Sequence, residues 1–207
     1  MRKKTSAQTE KMLDAAGRLF GAQRFHEVRM EDIAAEAEVG KGTLYRYFND
    51  KEELYLSLLE RSSRELLNRL QEERLRFDSP SEQLSAFVAS IVAFFDEQPH
   101  VFDLIQRADV MLPPDRDSPW QSTRNAVLHE LLELFKEAQA RGEFVIRDPE
   151  LSGLLLLGGL RSVIRFGHKP RPSDLGERIV QSFLLGADLS QHKPAHGPTL
   201  VTEPSRI

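Results

Sequence analysis

The chain has 207 residues, 40% of them apolar and 29% charged, which excludes a disordered or fibrous polymer and suits a globular protein. It contains no cysteine, which removes disulfide scaffolds, thiolate zinc sites and cysteine nucleophiles and fits a reducing compartment. The net charge of −4 excludes a histone-like polycation.

The charge is unevenly placed. Residues 1–55 carry ten Lys/Arg against ten Asp/Glu, with cations gathered at Arg2, Lys3, Lys4 and again at Lys41, Arg46, Lys51. Local charge, not the total, decides whether phosphates are attracted. The opening residues run into a charged helical pattern, so no secretory signal is expected. The longest apolar stretch, Leu151 to Leu160, is interrupted by a serine and three glycines. It falls short of the roughly 20 apolar residues of a bilayer span, and a cytoplasmic location is expected.

Nearly every apolar pattern has helical spacing, so the expected class is all-α with about nine helices. The first helix is expected from Thr5 or Ser6 to about Gln23, with Met12, Leu13, Ala16, Leu19 and Phe20 on one stripe. Short helices follow over Glu31 to Ala37 and Lys41 to Phe48. Asp50 is an N-cap candidate, with Glu53 completing a capping box, for a helix reaching about Arg76. Asp78 to Ser81 breaks the chain, and Ser81 opens a fifth helix carrying Leu84, Phe87, Val88, Ile91, Phe94 and Phe95. Pro99 suits the first turn of a sixth, and Pro113 to Asp117 is a loop. A seventh runs from about Pro119 to Arg141 and stops at Gly142. Asp148-Pro149 caps an eighth that ends near Phe166. Ser173 or Asp174 opens a ninth that ends near Leu189. The tail lacks periodicity and is expected to be disordered.

The informative stretch is residues 30–48. Its two short helices, joined by a turn around Glu38 to Gly40, cannot bury a core alone. They can cross over the first helix, which is a helix-turn-helix. In the second, Leu44 and Phe48 should face inward against Ile33, Val39 and Leu19. Thr43, Arg46 and Tyr47 should cluster outside, with Tyr45 flanking. Lys41 and Gly42 sit at the open N-terminal end, where backbone N–H groups favour phosphate, and Lys51 stands where it could reach a second phosphate. Hydroxyls and cations suit phosphate oxygens, arginine can grip guanine, and tyrosine can pack on a thymine methyl. Any one of these residues alone reads more simply as solvated surface or packing; the set on one face is what points to duplex DNA.

The same residues resemble the tetracycline-repressor (TetR) family. The resemblance is carried by Ile33-Ala34, Val39, the run Lys41-Gly42-Thr43-Leu44-Tyr45-Arg46-Tyr47-Phe48, then Lys51-Glu52-Glu53-Leu54, with Ala15-Ala16, Leu19-Phe20 and Phe25 before them. It covers residues 9–58 closely, and beyond them only length and helix count agree. It implies that Thr43, Tyr45, Arg46 and Tyr47 meet the groove and that Lys51 meets the backbone. Three positions depart from the family pattern. Arg29 replaces a threonine cap and could add a phosphate contact. Glu38 replaces a turn glycine, and Gly40 replaces a serine cap.

Other motifs carry less. Gly40-Lys41-Gly42-Thr43 lacks the P-loop glycine, with Ala35 in its place, and no strand precedes it. The six histidines make no ligand pair on a helix, so no metal and no cofactor is expected. Large apolar groups crowd residues 81–135. They read either as ordinary core or, as the resemblance implies, as the lining of a pocket for a small apolar effector. The candidates are Phe94, Phe95, Phe102, Ile105, Met111 and Trp120, with His100, Gln106, Arg107 and Asp109 as polar neighbours. The eighth helix is apolar on most sides and the ninth is amphipathic. Leu151, Leu155, Gly158, Ile179 and Phe183 are the expected homodimer interface, a four-helix arrangement that the resemblance also implies, the alternative being the core of a monomer.

The expected organisation is a DNA-binding unit over 1–50, a helical ligand-binding and dimerisation unit over 51–190, and a tail over 191–207. The expected function is a non-enzymatic, ligand-responsive regulator on a palindromic operator, with repression favoured by the resemblance. Two rivals stay open: a helical scaffold that binds a partner helix, and a helical enzyme that uses the apolar cavity, which lacks any convergent acid, base or metal set.

Overall fold

The computed structural model describes residues 7–111 and 119–187, and over these the chain is helical: α1 (Ala7–Ala22), α2 (Met30–Glu36), α3 (Lys41–Tyr47), α4 (Lys51–Arg74), α5 (Pro80–Glu97), α6 (Pro99–Met111), α7 (Pro119–Arg141), α8 (Pro149–Phe166) and α9 (Leu175–Ala187). The expected 113–117 loop and the 191–207 tail lie outside the described residues.

The ends follow local chemistry. The Asp50 carboxylate accepts from the Glu53 backbone N–H at 2.8 Å and caps α4. The expected return bond of the box is displaced by one residue, since the Glu53 carboxylate accepts from Asn49 N–H at 2.8 Å. Asp148 caps α8 through Leu151 N–H at 3.1 Å. Gly142, at φ 71°, ends α7 in the left-handed region. α5 starts at Pro80 and not at Ser81, because proline is preset for the first helical position and Ser79 takes the cap place. Both Ser79 and Ser81 hydroxyls instead donate to Glu143.

α4, about 36 Å long at 1.5 Å per residue, belongs to two apolar cores. Its first half, through Leu54, Tyr55, Leu58 and Leu59, closes the core of α1, α2 and α3. Its second half, through Leu66 and Leu70, joins Phe87, Ile91, Phe94, Leu131, Phe135, Leu156 and Val180 of α5 and α7–α9. α6 also serves both, giving Leu104 and Ala108 to the first core and Val101 and Phe102 to the second. No helix of the described residues is long and apolar enough to cross a membrane.

Candidate nucleic-acid interface

α2 and α3 are seven residues each and are held by what they bury. Met30, Ile33, Ala34 and Ala37 from α2 and its end, with Leu44 and Phe48 from α3, meet Met12, Ala15, Ala16 and Phe20 of α1. The turn between them needs one left-handed residue, and it is Glu38 at φ 52°, the position where the sequence departs from glycine. Its carboxylate is tied to Lys11 Nζ at 2.5 Å, so the strained residue is anchored to α1. Arg29 precedes α2 with extended backbone. Its N–H donates to Asp32 at 3.1 Å, so the aspartate supplies the cap that the arginine side chain cannot.

α3 presents Lys41, Gly42, Tyr45 and Arg46 to solvent, with Thr43 half-buried at their edge. Leu44 is fully buried, as expected. Tyr47 departs from expectation: it is half-buried against the first core, and its hydroxyl donates to Gln8 Oε1 at 3.0 Å. The reason is angular. At 100° per residue, position 47 lies about 60° from Leu44, whereas position 46 lies about 160° away. Arg46 is therefore the centre of the outer face, and its guanidinium rests 5.5 Å from the Tyr47 ring centroid. The Lys41 ammonium sits 5.8 Å from the Tyr45 ring and pairs with Glu31. Hydrogen bonding to that carboxylate, then its charge, holds the lysine above its ordinary pKa and the glutamate below its own.

Lys51 is not free to meet a phosphate in this arrangement. Its ammonium donates to the carbonyls of Phe25 at 2.6 Å and Val28 at 2.8 Å, and lies 4.4 Å from the Phe25 ring. The first turn of α4 runs beneath the α1–α2 connection, whose carbonyls have no helical partner, and the lysine satisfies them. Phe25 in turn stacks on Phe20 at 5.4 Å and meets Tyr55 edge-on at 5.1 Å.

The expected pocket residues separate. Phe94, Phe95 and Phe102 form an edge-to-face series with centroids 5.3 and 5.5 Å apart, inside the second core. Ile105 packs against both cores. Gln106 Oε1 accepts from Arg161 at 2.5 Å, joining α6 to α8, and Arg107 is half-buried. The side chains of Asp109, Met111 and Trp120 lie outside the described residues. His100 does not accompany the others: it packs on α1, in a cleft with Asp14, Gly17, Gly21 and Arg61. Positions 100 and 102 are 200° apart on one helix, so they cannot share a face. Beside this series, a groove of about 370 Å³ is lined by Phe95, Phe102, Ile164, Asp96, Arg165 and Lys169.

Leu151, Leu154 and Leu155 stand exposed on α8, Leu155 with 64% of its surface open, and Leu185 is exposed on α9. A methyl at Gly158 would meet nothing within 4 Å, whereas one at Gly153 would come 3.0 Å from Leu128 of α7. Within the chain the Leu128 side chain closes on Gly153, while Gly158 faces open space. Ile179 and Phe183 are half-buried and line a groove of about 540 Å³ between α8 and α9. Phe183 also stacks on Phe135 at 6.0 Å.

A family model described as bacterial regulatory proteins, tetR family, matches residues 12–58, and one described as a tetracyclin repressor-like C-terminal domain matches residues 78–166. The HTH-type transcriptional activator FasR of Mycolicibacterium smegmatis is 29% identical over 103 residues, 50% of this chain and 47% of its own length. The fatty acid metabolism regulator protein of Bacillus subtilis is 27% identical over 78 residues, 38% of this chain and 40% of its own length. The chain thus spans about half the length of the curated relatives it matches. Among solved structures, the fatty acid degradation regulator FadR of Bacillus halodurans aligns with TM-score 0.76 at 21% identity, covering 90% of this chain and 99% of that one. FadR of Bacillus subtilis in complex with stearoyl-CoA aligns with TM-score 0.72 at 18% identity, covering 86% and 98%. At those identities the structures speak for the fold. Between them the two family models cover more than half of the sequence, and the chain belongs to the TetR family of bacterial regulatory proteins.

Proposed function

We propose that the chain is a DNA-binding transcriptional regulator acting as a homodimer on a palindromic operator, with α3 entering the major groove. The observation that carries this is the outer face of α3, where Lys41, Gly42, Thr43, Tyr45 and Arg46 stand together on a helix whose other side is locked by Leu44. An exposed arginine on such a face suits bidentate bonds to guanine, and the free N–H groups at the start of α3 suit a phosphate. Residues 1–50 form the reading unit, and residues 51–190 form the effector and dimerisation unit.

The exposed leucines of α8 and the α8–α9 groove suit burial against the same surfaces of a second copy. Two reading helices then stand about 34 Å apart, one helical turn of DNA. The effector is an apolar small molecule that releases the protein from its operator. A long-chain acyl-CoA, apolar in its acyl chain alone, is the first to test, since FadR of Bacillus subtilis was solved in complex with stearoyl-CoA. Repression is the favoured direction, because blocking a promoter needs no further contact surface.

The test is fluorescence anisotropy with an inverted-repeat duplex taken from the DNA flanking the gene. Salt-dependent binding is expected, since released counterions give a steep slope. Arg46→Ala should weaken binding by about 1–3 kcal/mol, with specificity relaxed at one base pair and the melting temperature unchanged. A flat salt response in the unmodified protein would favour the partner-helix scaffold and sink the DNA reading.

A further inference from the structure

α6 is held at two points one helical turn apart, to α1 of the reading unit and to the start of α4 that closes the same core. At the first, the His100 ring lies over α1 where Gly17 and Gly21 leave the helix surface bare. A Cβ at Gly21 would stand 2.9 Å from His100 Cβ and 3.4 Å from its Cγ, closer than packed carbons tolerate. A Cβ at Gly17 would meet His100 Nε2 at 3.5 Å and Leu58 at 3.8 Å, ordinary contact distances. At the second point the fully buried Tyr55 of α4 donates its hydroxyl to the Leu104 carbonyl. Between these anchors, Val101 and Phe102 face the other way into the second core. The first two turns of α6 thus touch the reading unit on one face and the apolar core on the other.

We propose that His100 is a positioning residue, seated in the notch of Gly17 and Gly21, that sets the angle of α1 against α6 and through it the spacing of the two recognition helices. This rests on the DNA-binding reading given above. The notch is asymmetric: Gly21 is required at its present size, and Gly17 has room for a methyl. A packed contact of this kind has discrete arrangements rather than a soft range, so a small displacement of α6 reaches α1 as a tilt. No cation of the reading face takes part, so a change at the notch alters affinity without altering the number of phosphates engaged.

Four variants test it in the full-length chain: Gly21→Ala, Gly17→Ala, His100→Gly and the pair Gly21→Ala/His100→Gly. Gly21→Ala should weaken operator binding by at least about tenfold at an unchanged slope of log K against log salt. Gly17→Ala should bind as the unmodified protein does. In the pair, removal of the His100 side chain relieves the clash and returns affinity to that of His100→Gly alone. Hydrogen exchange without DNA should show faster opening of amides 17–25 and 100–106 in Gly21→Ala and recovery in the pair. Wild-type affinity in Gly21→Ala, or a loss that His100→Gly does not rescue, overturns the proposal. A change in salt slope does so too. Failure of the unmodified protein to bind any duplex refutes the DNA reading instead, and the notch then stands or falls on the exchange pattern and its rescue.

Discussion

Replacing Lys51 with methionine separates two roles for one cation. Methionine keeps most of the stem and removes the ammonium. The carbonyls of Phe25 and Val28 then lose donors at 2.6 and 2.8 Å, and the Phe25 ring loses the cation 4.4 Å from its centroid. A hydrogen bond from a charged group is worth about 1.5–3 kcal/mol, and a cation over a ring at a partly exposed site about 0.5–1 kcal/mol. One ammonium makes all three contacts, so they do not add in full, and partial solvation favours the lower values. A loss of about 2–3 kcal/mol is expected, which for a chain of this size lowers the melting temperature by roughly 5–10 °C. Thermal and urea unfolding by circular dichroism measure it, alongside operator binding across a salt series. The structural assignment predicts a lowered melt and an unchanged salt slope. A variant that melts within about 2 °C of the original while its salt slope falls by about one would mean that Lys51 serves a phosphate, and the reasoning would fail.

Other outcomes follow from the same geometry. Glu31→Gln releases Lys41 from its carboxylate, so operator binding should tighten and steepen in its salt dependence; unchanged affinity in anisotropy would mean the pair survives on DNA. Leu155→Arg places a charge on the exposed apolar face of α8, so sedimentation should show a monomer and operator affinity should fall with it; a dimer would remove that face from the interface. Burial, then the Arg61 charge, holds His100 below its ordinary pKa of 6.5, with Asp14 and Arg18 of α1 and Asp103 of α6 also lining the cleft. The unfolded chain therefore takes up the proton first, and stability from this site is full above 6.5 and lost as pH falls below it. Urea midpoints at acid and neutral pH should differ less in His100→Gln than in the original chain.

The helix ends were legible because their chemistry is local. Asp50, Asp148 and Gly142 act within one turn of themselves, so each marks its boundary without help from the rest of the fold. The strained turn was legible for the same reason, and Glu38 is left-handed where the pattern asks for glycine. Lys51 was not legible, since its partners are backbone carbonyls 23 and 26 residues earlier, and a carbonyl leaves no mark in a sequence. Tyr47 and His100 were missed for a different reason. Both were grouped with sequence neighbours, Arg46 and Phe102, although the helical angle already separates them: position 47 turns back toward Leu44, and position 100 faces away from 102.

Several cations of the proposed reading unit and of the start of α4 are internally matched, and that shapes how it could bind. Lys11, Arg18 and Lys41 are paired with Glu38, Glu36 and Glu31, all from α2 or the turn after it, and Lys51 is taken by carbonyls. Arg46 stands at the centre of the outer face of α3, its guanidinium over the Tyr47 ring. Sequence-independent affinity for DNA grows with the number of phosphates neutralised. The described lysines among residues 7–51, Lys11, Lys41 and Lys51, are all taken, so phosphates alone draw little on them. Each of these lysines would have to leave an internal partner before turning to a phosphate, an exchange worthwhile only where the proposed groove contacts of Arg46 and Tyr45 are also made. Matched charge therefore lowers attraction to arbitrary duplex more than to the cognate site, which is a gain in discrimination.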